Sequence, residues 1–204
     1  GFELAFKYRN PAIILADGII GQMMEKVRLP DYTPRRTEDE IRAECPWATL
    51  GRKGGRKPNI ITSLELESSI MEHNNERFQA KYKLIEENEV RYEEIQTEDA
   101  DYILVAFGSS ARICQKAVEQ ARAEGIRVGL LRPITLWPFP TKAIQRLSHQ
   151  AKGFLVAELN AGQMVEDVRL AVNGRVAVEH YGRMGGMLFS PSEILENLKK
   201  LLIK

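Results

Sequence analysis

Three short stretches carry the side chains best suited to chemistry: Gly108-Ser109-Ser110, Ala157 to Gln163 (AELNAGQ) and Gly182 to Gly186 (GRMGG). The first stands where a buried apolar run ends and helical spacing begins. Free backbone N–H groups and the helix dipole attract an anion at such a point. It reads as a phosphate or carboxylate site, or more plainly as a turn in which Ser109 or Ser110 caps the helix. Its lone glycine departs from both GxGxxG and GxxxxGK[ST], so neither nucleotide fingerprint is present. In the second stretch Glu158, Asn160 and Gln163 occupy a strand end, the usual ligand position of an open α/β sheet. They either hold a partner loop or cofactor edge, or they satisfy backbone groups at the next helix start. In the third, Arg183 offers a bidentate fork among three glycines that permit close approach, unless the loop is a plain connection. Arg52 to Lys57 (RKGGRK) is a further phosphate-gripping candidate or a solvated basic linker.

Other chemistries are excluded. Cys45 and Cys114 are the only cysteines and form no CxxC pair, and His73, His149 and His180 lack metal-type spacing, so neither a disulfide framework nor a metal or iron–sulfur site is expected. No nucleophile, base and orienting acid assemble into a catalytic set, and no catalytic or metal-binding residue is assigned. The 29 basic and 28 acidic residues leave a net charge of +1, which gives no reason to expect nucleic acid or an anionic membrane as partner. No apolar run approaches the roughly 20 residues of a membrane span. A chain of 204 residues, 44% hydrophobic and 28% charged, is long enough for one full domain and a long arm. A cytoplasmic protein fits this cysteine usage.

The elements that position these stretches alternate regularly from residue 95. Tyr102 to Phe107 reads as a buried strand, Ala111 to Glu124 as a helix with Gly125 beyond its end, and Ile126 to Leu131 as a second buried strand. Two strands joined by such a helix lie parallel with a right-handed crossover. After the WPFP turn come a helix over Thr141 to Gln150, a strand over Phe154 to Glu158 and a helix over Gln163 to Val172. A strand over Arg175 to Glu179 follows, and then a final helix over Ser192 to Ile203 entered through Ser190 and Pro191. The expected fold is α/β, a mostly parallel open sheet with helices on both faces. Tyr92 to Gln96 is available as a fifth strand.

The first 94 residues differ in texture. Residues 1–27 read as the closing βα unit of another α/β domain: a helix remnant, Ala12 to Ala16 as a buried strand, then a short helix through Val27. The start GFELAF, apolar and without an initiator methionine, reads as a cut inside a longer polypeptide. Residues 28–94 form a long arm, rich in Pro, Arg, Gly and Asp as far as residue 72. It ends in a polar helix over Asn74 to Glu94 with Phe78, Tyr82, Ile85 and Val90 on one stripe. Trp47, Trp137 and Phe139 are expected as packing anchors.

FGSSARICQKAV, LRPITLWPFP, LVAELNAGQMVEDVR and HYGRMGG, in that order and spacing, resemble the second domain of the alpha subunit of 2-oxoacid:ferredoxin oxidoreductases, a domain related to the transketolase C-terminal domain. PAIILADGIIGQMMEKVRLPD resembles the last strand and helix of that subunit's pyrimidine-binding first domain, and the GRMGGM ending looks most like the 2-oxoisovalerate members. The resemblance implies a division into residues 1–27 (remnant of the pyrimidine-binding domain), 28–94 (arm) and 95–204 (domain II). It also implies oxidative decarboxylation of a 2-oxoacid with thiamine diphosphate and Mg, iron–sulfur clusters and coenzyme A in the whole complex. Partners would be beta, gamma and ferredoxin-like delta subunits and ferredoxin, in a homo- or hetero-oligomer. This stretch alone is expected to be inactive and to bind no cofactor. Where many relatives carry a glycine- and histidine-rich linker, TSLELESSIMEHNNER has only His73 and no glycine. The rival readings are a domain of a transketolase-like or 2-oxoacid dehydrogenase enzyme, and a non-catalytic anion-binding or interaction module.

Overall fold

Alternating apolar runs and amphipathic segments fold into a five-stranded sheet in the computed structural model, which describes residues 1–49, 51, 55 and 57–201. The strands are β1 (Tyr92–Ile95), β2 (Tyr102–Val105), β3 (Val128–Pro133), β4 (Gly153–Glu158) and β5 (Ala177–Gly182), in spatial order β1-β3-β2-β4-β5. All neighbours pair in parallel except β1, which runs antiparallel to β3 at one edge. The α/β reading therefore holds, and the fifth strand lies where Tyr92 to Gln96 placed it. Strand β5 begins later than Arg175 and runs on to Gly182, because pairing along β4 from Gly153↔Ala177 to Glu158↔Gly182 carries His180 and Tyr181 into the ladder.

The helices are α1 (Phe2–Tyr8), α2 (Glu38–Glu44), α3 (Ser68–Asn88), α4 (Gly108–Ala123), α5 (Thr141–Leu147), α6 (Met164–Val172) and α7 (Pro191–Leu201). Period-2 side chains divide each central strand between two cores. Ile103, Val105, Phe154 and Val156 pack with α5 and α6 on one face. Leu104, Leu130, Leu155 and Ala157 pack with α4 and α7 on the other. Strands this apolar, buried on both sides, are what a parallel sheet between two helix layers requires. Each fully buried Phe154 or Leu155 side chain contributes on the order of 2 kcal/mol of transfer free energy.

The amino edge of the sheet is closed by arginines. Arg122 donates to the Val128 carbonyl at 2.8 Å and the Gln96 carbonyl at 2.7 Å and grips Asp99, while Arg127 grips Asp101 through both of its carboxylate oxygens. These contacts tie the turns entering β2 and β3 and leave the opposite, carboxyl edge open for loops.

The described residues fall into two compact units, Met23–Gln79 and the remainder. Within Met23–Gln79, α2 interrupts the expected arm. Thr37 forms a capping box with Glu40: the Glu40 N–H donates to Thr37 Oγ1 at 3.3 Å, and the Thr37 N–H donates to Glu40 Oε2 at 2.7 Å. Most of the basic stretch 52–57 lies outside the described residues, as does Ile203 at the end of the final helix.

Three readings of the first 94 residues change. Ala12 to Ala16 forms no strand, and Ile13, Ile14 and Leu15 are 83%, 79% and 66% exposed. A strand exists only with a ladder partner, and no described segment pairs with these residues. The short helix expected through Val27 is reduced to turns at 18–22. The polar helix starts earlier, at Ser68, and stops at Asn88, with Tyr82 and Ile85 turned inward and Phe78 exposed. Trp137 packs its edge against Tyr82 at 5.7 Å yet stays half exposed, so it is only in part an anchor.

Candidate functional site

At the carboxyl edge of the sheet the loops after β3, β2, β4 and β5 stand side by side in strand order, so every sequence candidate outside residues 52–57 comes to one edge. The chain leaves β2 toward β3 and returns to β4 on the other side of β2. Consequently α4 covers one face and α6 the other. The crevice between β2 and β4 is thus a topological switch point, the position where open α/β sheets bind ligands.

The turn after β2 is built differently from the capping expected of it. Phe107 is the N-cap of α4 and makes no side-chain cap hydrogen bond, and Ser109 and Ser110 already lie buried in the first turn. The strand-to-helix change is absorbed one residue earlier by Gly108, at φ +57°. The anion at this helix end is internal: Asp17 Oδ2 accepts the Ser109 N–H at 2.8 Å. A Cβ on residue 108 would come within 2.8 Å of the same oxygen. Asp17, distant in sequence, carries no local signal that links it to the turn.

Glu158 ends β4 with only 1% of its surface exposed. Its Oε2 accepts the Met164 N–H at 2.9 Å and the Gln163 N–H at 3.3 Å, and Oε1 accepts the Val165 N–H at 3.0 Å. The carboxylate thereby satisfies the orphan donors of α6 and meets the positive end of its dipole. Asn160 donates to Glu158 Oε2 at 3.1 Å and accepts from the Gly162 N–H at 2.7 Å, which shapes the turn. Gln163 is the exposed N-cap and makes no side-chain cap hydrogen bond. Across the crevice wall, His180 Nε2 lies 3.8 Å from Glu158 Oε1 and has no hydrogen-bond partner.

Arg183 leaves β5 and pairs with Glu193 at 2.6 Å. Glu193 is also the capping-box partner of Ser190 at the start of α7, accepting the Ser190 N–H at 2.6 Å while its own N–H donates to the serine hydroxyl at 3.2 Å. The Ser190 N–H and hydroxyl, and then Arg183, hold the Glu193 carboxyl below its ordinary value. Tyr181 and Glu193 hold the Arg183 guanidinium charged. Between these fixed ends, Met184, Met187 and Leu188 are 60%, 54% and 41% exposed on the glycine-rich loop.

A fourth cluster was not signalled by any local pattern. Glu89, just beyond α3, is 5% exposed and accepts from Lys7 Nζ and the Tyr8 hydroxyl, both at 2.7 Å, and from Arg91 at 3.2 Å. Lys7 and then Tyr8 stabilise its charged form and bring its pKa down to about 2 from 4.5. A carboxylate lowered in this way stabilises the fold fully above about pH 4.5, and the contribution disappears as pH falls toward 2. Glu89→Gln should therefore lower the melting temperature at pH 6 to 7, with the difference from the parent protein vanishing near pH 2.

Residues 100–194 match the family described as Pyruvate:ferredoxin oxidoreductase core domain II. Ketoisovalerate oxidoreductase subunit VorB of Methanothermobacter marburgensis is 46% identical over 98% of this chain and 55% of its own length. The chain is a homologue of 2-oxoacid:ferredoxin oxidoreductase subunits. The 2-oxoglutarate synthase subunit KorA of the same organism is 29% identical over 97% of the chain and 58% of its own length, so this homologue spans somewhat more than half of the curated relatives it matches. In fold it resembles a 2-oxoglutarate:ferredoxin oxidoreductase from Magnetococcus marinus solved with 2-oxoglutarate, coenzyme A and succinyl-CoA bound. The TM-score is 0.66, with 23% identity over 77% of this chain and 28% of that one.

The described residues of this homologue do not fit an iron–sulfur cluster or a metal. No three His, Cys, Asp or Glu side chains converge among them, and burial pushes the Cys114 thiol up, away from a ligating thiolate. At the switch point Asp17 Oδ2 already takes one of the donors at the start of α4, the Ser109 N–H. Among the described residues no helix is long and apolar enough to cross a membrane.

Proposed function

We propose that this chain is part of the alpha subunit of a 2-oxoacid:ferredoxin oxidoreductase acting on 2-oxoisovalerate. The single observation that carries the reading is 46% identity to a ketoisovalerate oxidoreductase subunit along 98% of the chain. In this reading residues 95–204 are domain II, residues 28–94 an arm, and residues 1–27 the end of a pyrimidine-binding domain. The reaction is 2-oxoacid + coenzyme A → acyl-coenzyme A + CO2 + H⁺ + 2 e⁻, with ferredoxin taking the electrons. Thiamine diphosphate with Mg and iron–sulfur clusters, held elsewhere in a cytoplasmic complex of alpha, beta, gamma and delta subunits, supplies the decarboxylation and electron-transfer chemistry.

The part played by this chain is assembly and the shaping of a cofactor site completed by other chains. Glu158, Asn160 and Arg183 support it by holding their loops through internal bonds, which leaves a rigid edge to present to a partner. Exposed Gln163 and the Met184 to Leu188 loop are the surface of that edge, and buried Ser109 and Ser110 set the floor beside it. In the assembled enzyme, coenzyme A-dependent reduction of a viologen should be faster with 2-oxoisovalerate than with 2-oxoglutarate or pyruvate, and residues 1–204 alone should give no turnover. Preference for another 2-oxoacid overturns the substrate, and turnover by residues 1–204 overturns the assembly role.

A further inference from the structure

Among the described residues, His180 Nε2 is the buried side-chain polar atom that finds no hydrogen-bond partner. Such an atom lowers stability unless another state of the protein gives it a partner. His180 alternates along β5 with Val178 toward α6, while Tyr181 turns toward α7. The ring edge carrying Cε1 and Nε2 stands between two glycines. A Cβ on Gly162 would lie 3.5 Å from both atoms, and a Cβ on Gly182 would lie 2.6 Å and 2.9 Å from them. The imidazole therefore touches the turn after β4 and the end of β5 together. Glu158 Oε1 is 3.8 Å from Nε2. Oε2 of the same carboxylate is engaged by Asn160 and by the Gln163 and Met164 N–H groups, whereas Oε1 accepts the Val165 N–H and keeps a lone pair to spare.

We propose that His180 is a proton-operated latch at the carboxyl edge of the sheet, which pairs with Glu158 when the imidazole is protonated and so ties the 159–163 turn to the end of β5. A neutral imidazole protonated on Nδ1 turns a lone pair toward the carboxylate, and neither atom draws the other. Protonation places a donor and a positive charge on Nε2, and a movement of about 1 Å then makes a charge-assisted hydrogen bond. The charges on this face favour that form. From α6 come Glu166, Asp167 and Arg169, of which Arg169 pairs with Glu166 at 2.7 Å. Desolvation and then the Glu158 and Glu166 charges hold the Asp167 carboxyl above its ordinary value. The 159–163 turn brings no charge, and Glu179, Tyr181 and the Arg183–Glu193 pair lie toward α7 on the other face. The turn belongs to the edge assigned above to assembly with other chains. On that reading the proton sets how firmly the edge is held when it meets them, whereas the latch itself is independent of any partner.

NMR on the full polypeptide between about pH 8 and 5, the interval in which an imidazole changes charge, tests the proposal. Toward the acid end a downfield, slowly exchanging Nε2 proton of His180 should appear. Hydrogen-exchange protection of the Gly162 and Gln163 amides, which donate to Asn160 and Glu158, should rise about tenfold relative to unstructured-chain rates at each pH, as gain of a hydrogen bond between charged groups implies. The amides of β2 and β3 are the control for intact folding. His180→Gln keeps a donor of similar reach without a charge and should leave protection flat across the interval. His73 and His149 are exposed and remain in that variant, so a flat response assigns the proton to His180. Glu158→Gln should also abolish the rise. A rise that persists in His180→Gln, no rise in the parent protein, or an Nε2 proton already present at pH 8 would each overturn the latch. Protection that rises while assembly is indifferent to pH would leave the latch standing and count against the assembly role of this edge.

Discussion

Glu158→Ala is expected to lower the free energy of unfolding by about 3 kcal/mol, combining a lost helix cap with the loss of hydrogen bonds to a buried charge. The carboxylate is 1% exposed and takes three backbone N–H groups at the start of α6 together with the Asn160 amide. Its removal leaves those donors in a volume too enclosed for easy solvation. Met164 and Val165, whose N–H groups lose their acceptor, are also core residues facing Phe154 and Val156. Fraying of the first turn of α6 therefore reaches the hydrophobic core. Glu158→Gln, which keeps one acceptor and nearly the same shape but loses the charge, should lower stability by about half as much. The measurement is a urea unfolding series in which the midpoint falls while the slope is unchanged. A loss under about 0.5 kcal/mol in Glu158→Ala, within the range of ordinary surface substitutions, would show that the cap is dispensable.

Gly182→Ala should be of similar size for a steric reason. The added Cβ would lie 2.2 Å from the Asn160 carbonyl oxygen and 2.6 Å from His180 Cε1. Overpacking typically lowers stability by 1–3 kcal/mol, and here the nearer obstacle is backbone, so about 3 kcal/mol is expected. Relief requires pushing the 159–162 turn away from β5, which moves Asn160 off Glu158 at the end of β4. His180→Ala makes the discriminating control. Alone it removes an imidazole whose Nε2 has no partner and should change stability little. Combined with Gly182→Ala it clears the side-chain clash but not the carbonyl, so the double variant should recover only part of the loss, a non-additivity expected of residues in contact. Full recovery would mean that the imidazole, not the Asn160 carbonyl, makes Gly182 necessary.

Both substitutions act on residues that the sequence marks as unusual and whose work is visible only in three dimensions. Glu158, Asn160 and Gln163 stood out because a turn needs fewer polar side chains than this one carries, and the alternative of satisfying the next helix start was already legible in their position. The choice between that role and an outward-facing one depends on whether the strand end buries the carboxylate, and burial is set by α6 and β5 packing around it. Arg183 shows the same limit. Its fork was evident, but its partner Glu193 is fixed ten residues away by the capping box with Ser190. The TEDE stretch at 37–40 is a capping box that could have been read directly, and with it α2, since a Thr followed by Glu at the third helical position marks a helix start.

What the sequence determined by itself is everything governed by local periodicity: four strands with the helices between them and a fifth available beside them, and hence a mostly parallel α/β sheet, three of whose strands are buried between two edge strands. Apolar runs of strand length and helical spacing between turn residues leave few ways to bury both faces of such a sheet. Tertiary structure alone decided which acid serves which helix. Asp17 reaches α4 across 92 positions and Lys7 reaches Glu89 across 82, and neither end of either contact carries a local pattern. The same holds for Ala12 to Ala16, which has the composition of a buried strand but no described strand beside it. A strand is a property of a pair of segments, and composition specifies only one of them.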